Sequence, residues 1–152
     1  MKINKHIKII KIILIAFIFV FLYCFYETKE LFNDEIPEPG KFDINIIFFY
    51  SDNCSECKKI KDPWFKIKKN LNNSMTNAYK IKMFEVNGDL KPLVIKTYDI
   101  KYYPTILFLY NNKSLKKETY KGNLSFISFT QALNNIYKNI LAERTIDMIK
   151  SK

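Results

Sequence analysis

Between residues 44 and 150 the apolar positions change period several times, and each change marks an element. Ile44 to Tyr50 is β-branched and aromatic with little alternation, the pattern of a central strand covered on both faces. Ser51, Asp52 and Asn53 follow it and favour a turn and a helix start. Cys57, Ile60, Trp64, Ile67 and Leu71 then recur at helical spacing, opposite a face carrying Lys58, Lys59, Lys61, Lys66 and Lys69, and Pro63 should kink that helix. Tyr79 to Val86 reads as a second strand, Leu90 to Tyr98 as a short helix after Asp89, and Thr105 to Tyr110 as a third strand. Asn111, Asn112 and Lys113 turn the chain into a fourth strand, Leu115 to Tyr120, and a last helix starts near Leu124 and runs past Leu141 to Ile149. Its Ile136, Ile140 and Ile149 read as cover for the domain's own core. The order β-α-β-α-β-β-α puts parallel crossovers first and an antiparallel hairpin last, which predicts an α/β fold with a central mixed β-sheet flanked by helices.

The first 26 residues follow a different pattern. From Ile12 to Tyr26 there is no charged residue, and from Ile7 only Lys8 and Lys11 interrupt the apolar run. Their long stems can snorkel, so about 20 residues are available to cross a bilayer as a helix. Phe21, Leu22, Tyr23, Cys24, Phe25 and Tyr26 are too bulky for a signal-peptide cleavage site, which favours an uncleaved signal anchor. The basic start and Glu27 and Glu30 on the far side predict a single-pass membrane protein, in contact with the membrane through residues 7–26. Residues 27–152 are then expected in an exported compartment: the endoplasmic reticulum lumen and secretory pathway, or the extracytoplasmic side in a prokaryote. Three segments result: a cytosolic tip and transmembrane signal anchor at 1–26, with a signal peptide as the alternative there, a linker or short N-terminal element at 27–43 with Pro37, Pro39 and Gly40, and a domain at 44–152 with a long C-terminal helix.

Composition narrows the function. In 152 residues, 48% hydrophobic and 26% charged, there is material for one core and too much of it for a disordered chain. Four of the charges behind the net +10 are Lys2, Lys5, Lys8 and Lys11, ahead of the apolar run. Arg144 is the single arginine, so bidentate base recognition has almost nothing to work with and no nucleic-acid partner is expected.

The chemistry lies in Cys54-Ser55-Glu56-Cys57, at the junction of the first strand and its helix. Cys54 falls on the exposed first turn, where the helix dipole and free amides favour a thiolate, and Cys57 one turn deeper. Two thiols three apart can attack a substrate disulfide and then release it by forming their own. The pair is also half of a zinc site, but His6, the only histidine, and Cys24 both precede the domain, so no metal is expected. As a purely structural disulfide it would close too small a loop to stabilise much.

Ile44 to Ala132 resembles the thioredoxin family, and within it the single domains of protein disulfide isomerases. The residues that carry the resemblance are the strand ending at Tyr50, the cysteine pair with Lys58-Lys59-Ile60 after it, Val86-Asn87, and Tyr98-Asp99-Ile100-Lys101-Tyr102-Tyr103-Pro104-Thr105. Tyr120-Lys121-Gly122 and the apolar helix with Phe126 and Leu133 fit as well. The resemblance implies a thioredoxin-like fold for the domain at 44–152, in which Cys54 attacks, Cys57 resolves, and Pro104 is a cis proline facing the pair. Tyr103, Pro104, Thr105 and Asn53 would bind substrate, and a reversible Cys54–Cys57 disulfide would stand in place of a cofactor.

The sequence departs from the family at several positions. Asn53 stands where the family usually has Trp, which removes part of an apolar docking surface. Ser55-Glu56 replaces the family's dipeptides, and the Glu56 carboxylate opposes a neighbouring thiolate. Asp62 takes the place of the helix proline, with Pro63 one step later, and Phe48 occupies a position that usually holds a buried Asp or Glu. The family's amino-terminal strand and helix have only residues 27–43 to correspond to, so that layer is shortened or absent. The resemblance thus implies a thiol-disulfide oxidoreductase acting on protein or peptide thiols and disulfides, together with an unidentified redox partner. The alternative is a noncatalytic thioredoxin-like adaptor or subunit of a membrane-associated complex.

Overall fold

The computed structural model describes residues 11, 13–23, 36–77, 79–112 and 114–150. The chain divides into two units, Met1–Ile36 and Pro37–Lys152. In the first, Lys11 and residues 13–23 are helical (α1). Among the described residues no helix is long and apolar enough to cross a membrane. Counted over the described residues, Lys11 and residues 13–23, the helical segment falls short of the about 20 residues that an about 30 Å hydrocarbon core requires. This overturns the anchored reading, including the signal anchor, the membrane contact through residues 7–26, and the single-pass topology with residues 27–152 in an exported compartment such as the endoplasmic reticulum. The basic start, Cys24 and Glu27 and Glu30 lie outside the described residues, as does Lys113.

The second unit is built on a five-stranded sheet. Its strands are β1 (Asp43–Tyr50), β2 (Met75–Thr76), β3 (Tyr79–Asn87), β4 (Thr105–Asn111) and β5 (Leu115–Thr119), in the spatial order β2-β3-β1-β4-β5. β1 is parallel to β3 and antiparallel to β4, so the sheet is mixed, as the element order predicts. All six interior residues of β1, Ile44 to Phe49, are buried, as the absence of alternation in the sequence requires of a strand covered on both faces. The strand missed by the sequence pattern is β2. It has two residues, too few to show a period, and it reaches β3 through Asn77 in the left-handed region at φ 49°.

Three helices complete the unit: α2 (Ser55–Leu71), α3 (Pro92–Thr97) and α4 (Phe126–Lys150). α2 continues through Pro63 and buries Cys57, Trp64, Ile67 and Leu71. α3 is shorter than its apolar run because Pro92, fixed in φ and lacking an N–H, sets its first turn. On one sheet face Ile44, Ile46 and Phe48 of β1 join Ile81 and Met83 of β3 and Ile106 and Phe108 of β4 in a single core with Trp64, Phe129, Leu133, Ile136 and Ile140. Ile136 and Ile140 are core, as expected, but Ile149 is 70% exposed. A 25-residue helix is about 37 Å long and an eight-residue strand about 27 Å, so the end of α4 outruns the sheet that would bury it. On the other face Asn45 is fully buried and its Nδ2 donates to the Pro37 carbonyl at 2.6 Å, tying the start of this unit onto β1.

Candidate functional site

β1 delivers the cysteine pair. After Tyr50 the backbone turns through Ser51, Asp52 and Asn53, and Cys54 caps α2 in extended conformation, with φ −83° and ψ 111°. The Cys57 amide donates to Cys54 Sγ at 3.0 Å, so the sulfur receives one of the free donors of the helix start. Cys54 and Cys57 form a disulfide with Cα atoms 5.2 Å apart. Cys57 is 2% exposed and belongs to the core, whereas Cys54 is half-buried and only packs against it. The two sulfurs are therefore unequal: one is open to attack and lies on a donor, and the other sits behind it.

The resemblance-derived substrate residues lie at the same end of the sheet. Thr105 is opposite Phe49 in the β1–β4 ladder, so the Tyr103–Pro104 bond falls level with the exit from β1 toward Cys54. That bond is cis. Thr105 is buried and its Oγ1 donates to the Tyr102 carbonyl at 2.8 Å, fixing the loop. Tyr103 is partly buried, and burial followed by the nearby Asp89 charge raises its phenol pKa. Gly88 makes room for it, since a Cβ there would lie 1.8 Å from Tyr103 Oη. Asn53 is exposed, and its amide donates to Ser51 Oγ at 3.3 Å.

Of the positions expected to modulate the pair, Ser55 is exposed at the first residue of α2, and Glu56 is ion-paired to Lys59 at 2.6 Å. Both members of that pair are well exposed, so solvent and Lys59 together blunt the opposition that Glu56 offers to a thiolate. Phe48 is 1% exposed and packs on Trp64 and Tyr50, with ring centroids 5.2 and 5.4 Å away.

Two features were not visible in the sequence. Glu85 stands beside Phe48 in the parallel ladder, and its Oε1 accepts from Trp64 Nε1 at 2.7 Å and from Lys68 Nζ at 2.9 Å. The second is a polar ring around the Cys54 turn. Asp89 Oδ2 accepts from the Ser51 hydroxyl at 2.8 Å and from the Asp52 amide at 3.0 Å, and Asn87 Nδ2 donates to Asp52 Oδ2 at 2.6 Å. The sequence assigned Asp89 only to a helix start. Its partners lie 38 and 37 residues away, beyond any local pattern. Among the described residues no cluster of His, Cys, Asp and Glu is placed to hold a metal ion.

A family model described as Thioredoxin matches residues 24–135. Bloodstream-specific protein 2 of Trypanosoma brucei brucei is 34% identical over 95 residues, which make up 62% of this chain and 17% of that protein. A protein disulfide-isomerase of Schizosaccharomyces pombe is 24% identical over 108 residues, 71% of this chain and 29% of the relative, so the chain spans less than a third of either. Among solved structures, the Trx4 domain of ERdj5 is similar with a TM-score of 0.56 at 16% identity, covering 72% of this chain and 91% of that one. The first thioredoxin domain of mouse protein disulfide-isomerase A4 gives a TM-score of 0.51 at 20% identity, covering 62% and 63%. Both structural likenesses concern the fold.

Proposed function

Because the chain belongs to the thioredoxin family, we propose that it is a thiol-disulfide oxidoreductase acting on protein or peptide substrates, with Cys54 as the attacking and Cys57 as the resolving thiol. The observation that carries this reading is the asymmetry of the pair: Cys54 Sγ accepts the Cys57 amide at an open helix start, and Cys57 is 2% exposed behind it.

In the reduced form the Cys54 thiolate attacks one sulfur of a substrate disulfide, forming a mixed disulfide and releasing the other substrate sulfur as a thiolate. Cys57 then loses its proton and attacks Cys54 Sγ. The Cys54–Cys57 bond forms, the mixed disulfide breaks, and two electrons have passed from the dithiol to the substrate. The oxidised pair runs the same steps in reverse when a substrate thiolate attacks Cys54. An extended substrate would lie along the Tyr103-Pro104-Thr105 loop, pairing with its backbone, with Asn53 at the rim. Ser55 and Glu56 would set the thiolate environment, and Phe48 would leave the resolving step without a carboxylate from β1.

In the reduced chain Cys54 should alkylate at least about tenfold faster than Cys57, from its exposure and helix-start position. Cys57→Ser should accumulate mixed disulfides through Cys54 when offered a disulfide peptide. Mass mapping that finds Cys57 modified first would reverse the roles, and absence of any mixed disulfide would remove the catalytic reading.

A further inference from the structure

We propose that Asp89 is a positioning residue for Cys54, acting through Ser51 and Asp52; this rests on the reading that Cys54 is the attacking thiol. Every residue of the turn that leads into Cys54 is held. Asp89 Oδ2 accepts from Ser51 Oγ at 2.8 Å and the Asp52 amide at 3.0 Å, and Ser51 Oγ accepts in turn from the Asn53 amide at 3.3 Å. Asn87 closes the ring, donating to Asp52 Oδ2 at 2.6 Å and accepting the Asp89 amide on Oδ1 at 3.0 Å. The turn ends with the Cys54 amide donating to the Ser51 carbonyl at 3.2 Å. Ser51 and Asn87 are each 8% exposed, so their side chains have little water to exchange these bonds for.

The ring sets where Cys54 begins α2, and so whether its sulfur lies on the Cys57 amide. A turn free to sample other conformations would carry Cys54 off that donor for part of the time, and the thiolate would lose the stabilisation of the helix start. The charge of Asp89 works in the opposite sense, since a carboxylate near a thiolate disfavours it. Position and charge therefore predict effects of opposite sign, which makes the role separable from simple electrostatics.

The test uses the full chain, reduced, with Cys54 alkylation followed by mass mapping at a pH below the thiol's pKa. Ser51→Ala removes the hydroxyl without changing charge and should slow Cys54 about two- to fivefold, the rate equivalent of one helix-terminus interaction. Asp89→Asn keeps an oxygen that can accept both bonds and removes the charge, so it should retain the rate or exceed it. Should Ser51→Ala fail to fold by circular dichroism, Asp89→Ala takes its place and is compared with Asp89→Asn, which loses the same charge: Asp89→Ala should react about two- to fivefold more slowly than Asp89→Asn, and equal rates would overturn the proposal. A wild-type rate in Ser51→Ala, even with a lowered melting temperature, would show that the ring is merely structural and overturn the proposal. So would an Asp89→Asn variant slowed as much as Ser51→Ala. Failure of the wild-type chain to form mixed disulfides is a separate outcome, which removes the oxidoreductase reading and this inference with it.

Discussion

Replacing Phe48 with glutamate puts a carboxylate at the strand position where the thioredoxin resemblance implies one and the chain has none. Phe48 is 1% exposed, stacks on Tyr50 and packs at a tilt against Trp64. Losing that burial costs about 2 kcal/mol, losing the ring pairs about 1 kcal/mol, and burying an unpartnered neutral carboxyl about 1 kcal/mol. The reduced chain should therefore lose about 4 kcal/mol in mild acid, or about 15 °C in melting temperature for a domain of this size. The introduced group lies beside Glu85 in the β1–β3 ladder, and burial and that neighbouring carboxylate both raise its folded pKa. The folded state then holds a proton that the unfolded state releases above about pH 4.3, so stability falls further as pH rises through the folded pKa. Thermal melts from mild acid to neutral pH read this slope. The functional consequence has the opposite sign: once ionised, the carboxylate can take the Cys57 proton, and release of a preformed Cys54–peptide mixed disulfide should speed up by on the order of tenfold or more. Stopped-flow kinetics measure that release directly. A folded Phe48→Glu variant with no acceleration, together with a large loss in Glu56→Gln, would show that Glu56 already acts as the base and refute the reasoning.

Glu85→Ala should destabilise the chain by about 1–2 kcal/mol in urea, because Trp64 Nε1 and Lys68 lose a shared acceptor at 2.7 and 2.9 Å while partial exposure limits the ion pair's share. The Trp64 emission maximum should shift with it, and an unchanged unfolding midpoint would remove Glu85 from the structural account. The hydrogen bond from Lys82 Nζ, 2.7 Å away, is the main cause holding the Asp43 carboxyl below its ordinary range. Its folded pKa is depressed, so the stabilisation is present above the unfolded pKa and is lost as pH falls through the folded one. Lys82→Met should therefore shift acid unfolding to higher pH, and identical acid transitions in the two chains would contradict this.

What was legible in the sequence was local. The lack of alternation across Ile44–Tyr50 marked β1 as central, and the spacing from Cys57 to Leu71 located α2, because burial on both faces and a helical stripe each leave a period in consecutive residues. The cysteine pair was legible for the same reason. Hydropathy misled in two places. The apolar run from Ile7 to Tyr26 reads as long enough for a bilayer, whereas the helix described there is not. Ile149 has the composition of a core residue, but α4 has already passed the end of the sheet. Hydropathy states what a segment would bury if a partner were present and does not say whether one is within reach.

Glu85, Asn87 and Asp89 were hidden because their roles depend on partners that only the fold supplies, yet the sheet order accounts for where those partners come from. β1 lies between β3, to which it is parallel, and β4, to which it is antiparallel. The C-terminal end of β1 therefore adjoins the exit from β3 and the entrance to β4. Whatever follows Tyr50 must meet whatever follows Val86 and whatever precedes Thr105. The nucleophile turn, the Asn87–Asp89 segment and the Tyr103–Pro104 bond come together at one end of the sheet by topology alone. The sulfur chemistry is encoded in four consecutive residues, and the groups that hold and present it arrive from two strands that no period in the sequence connects to it. A chain with the same Cys54–Cys57 pair and another strand order would keep the thiols and lose the ring that positions them.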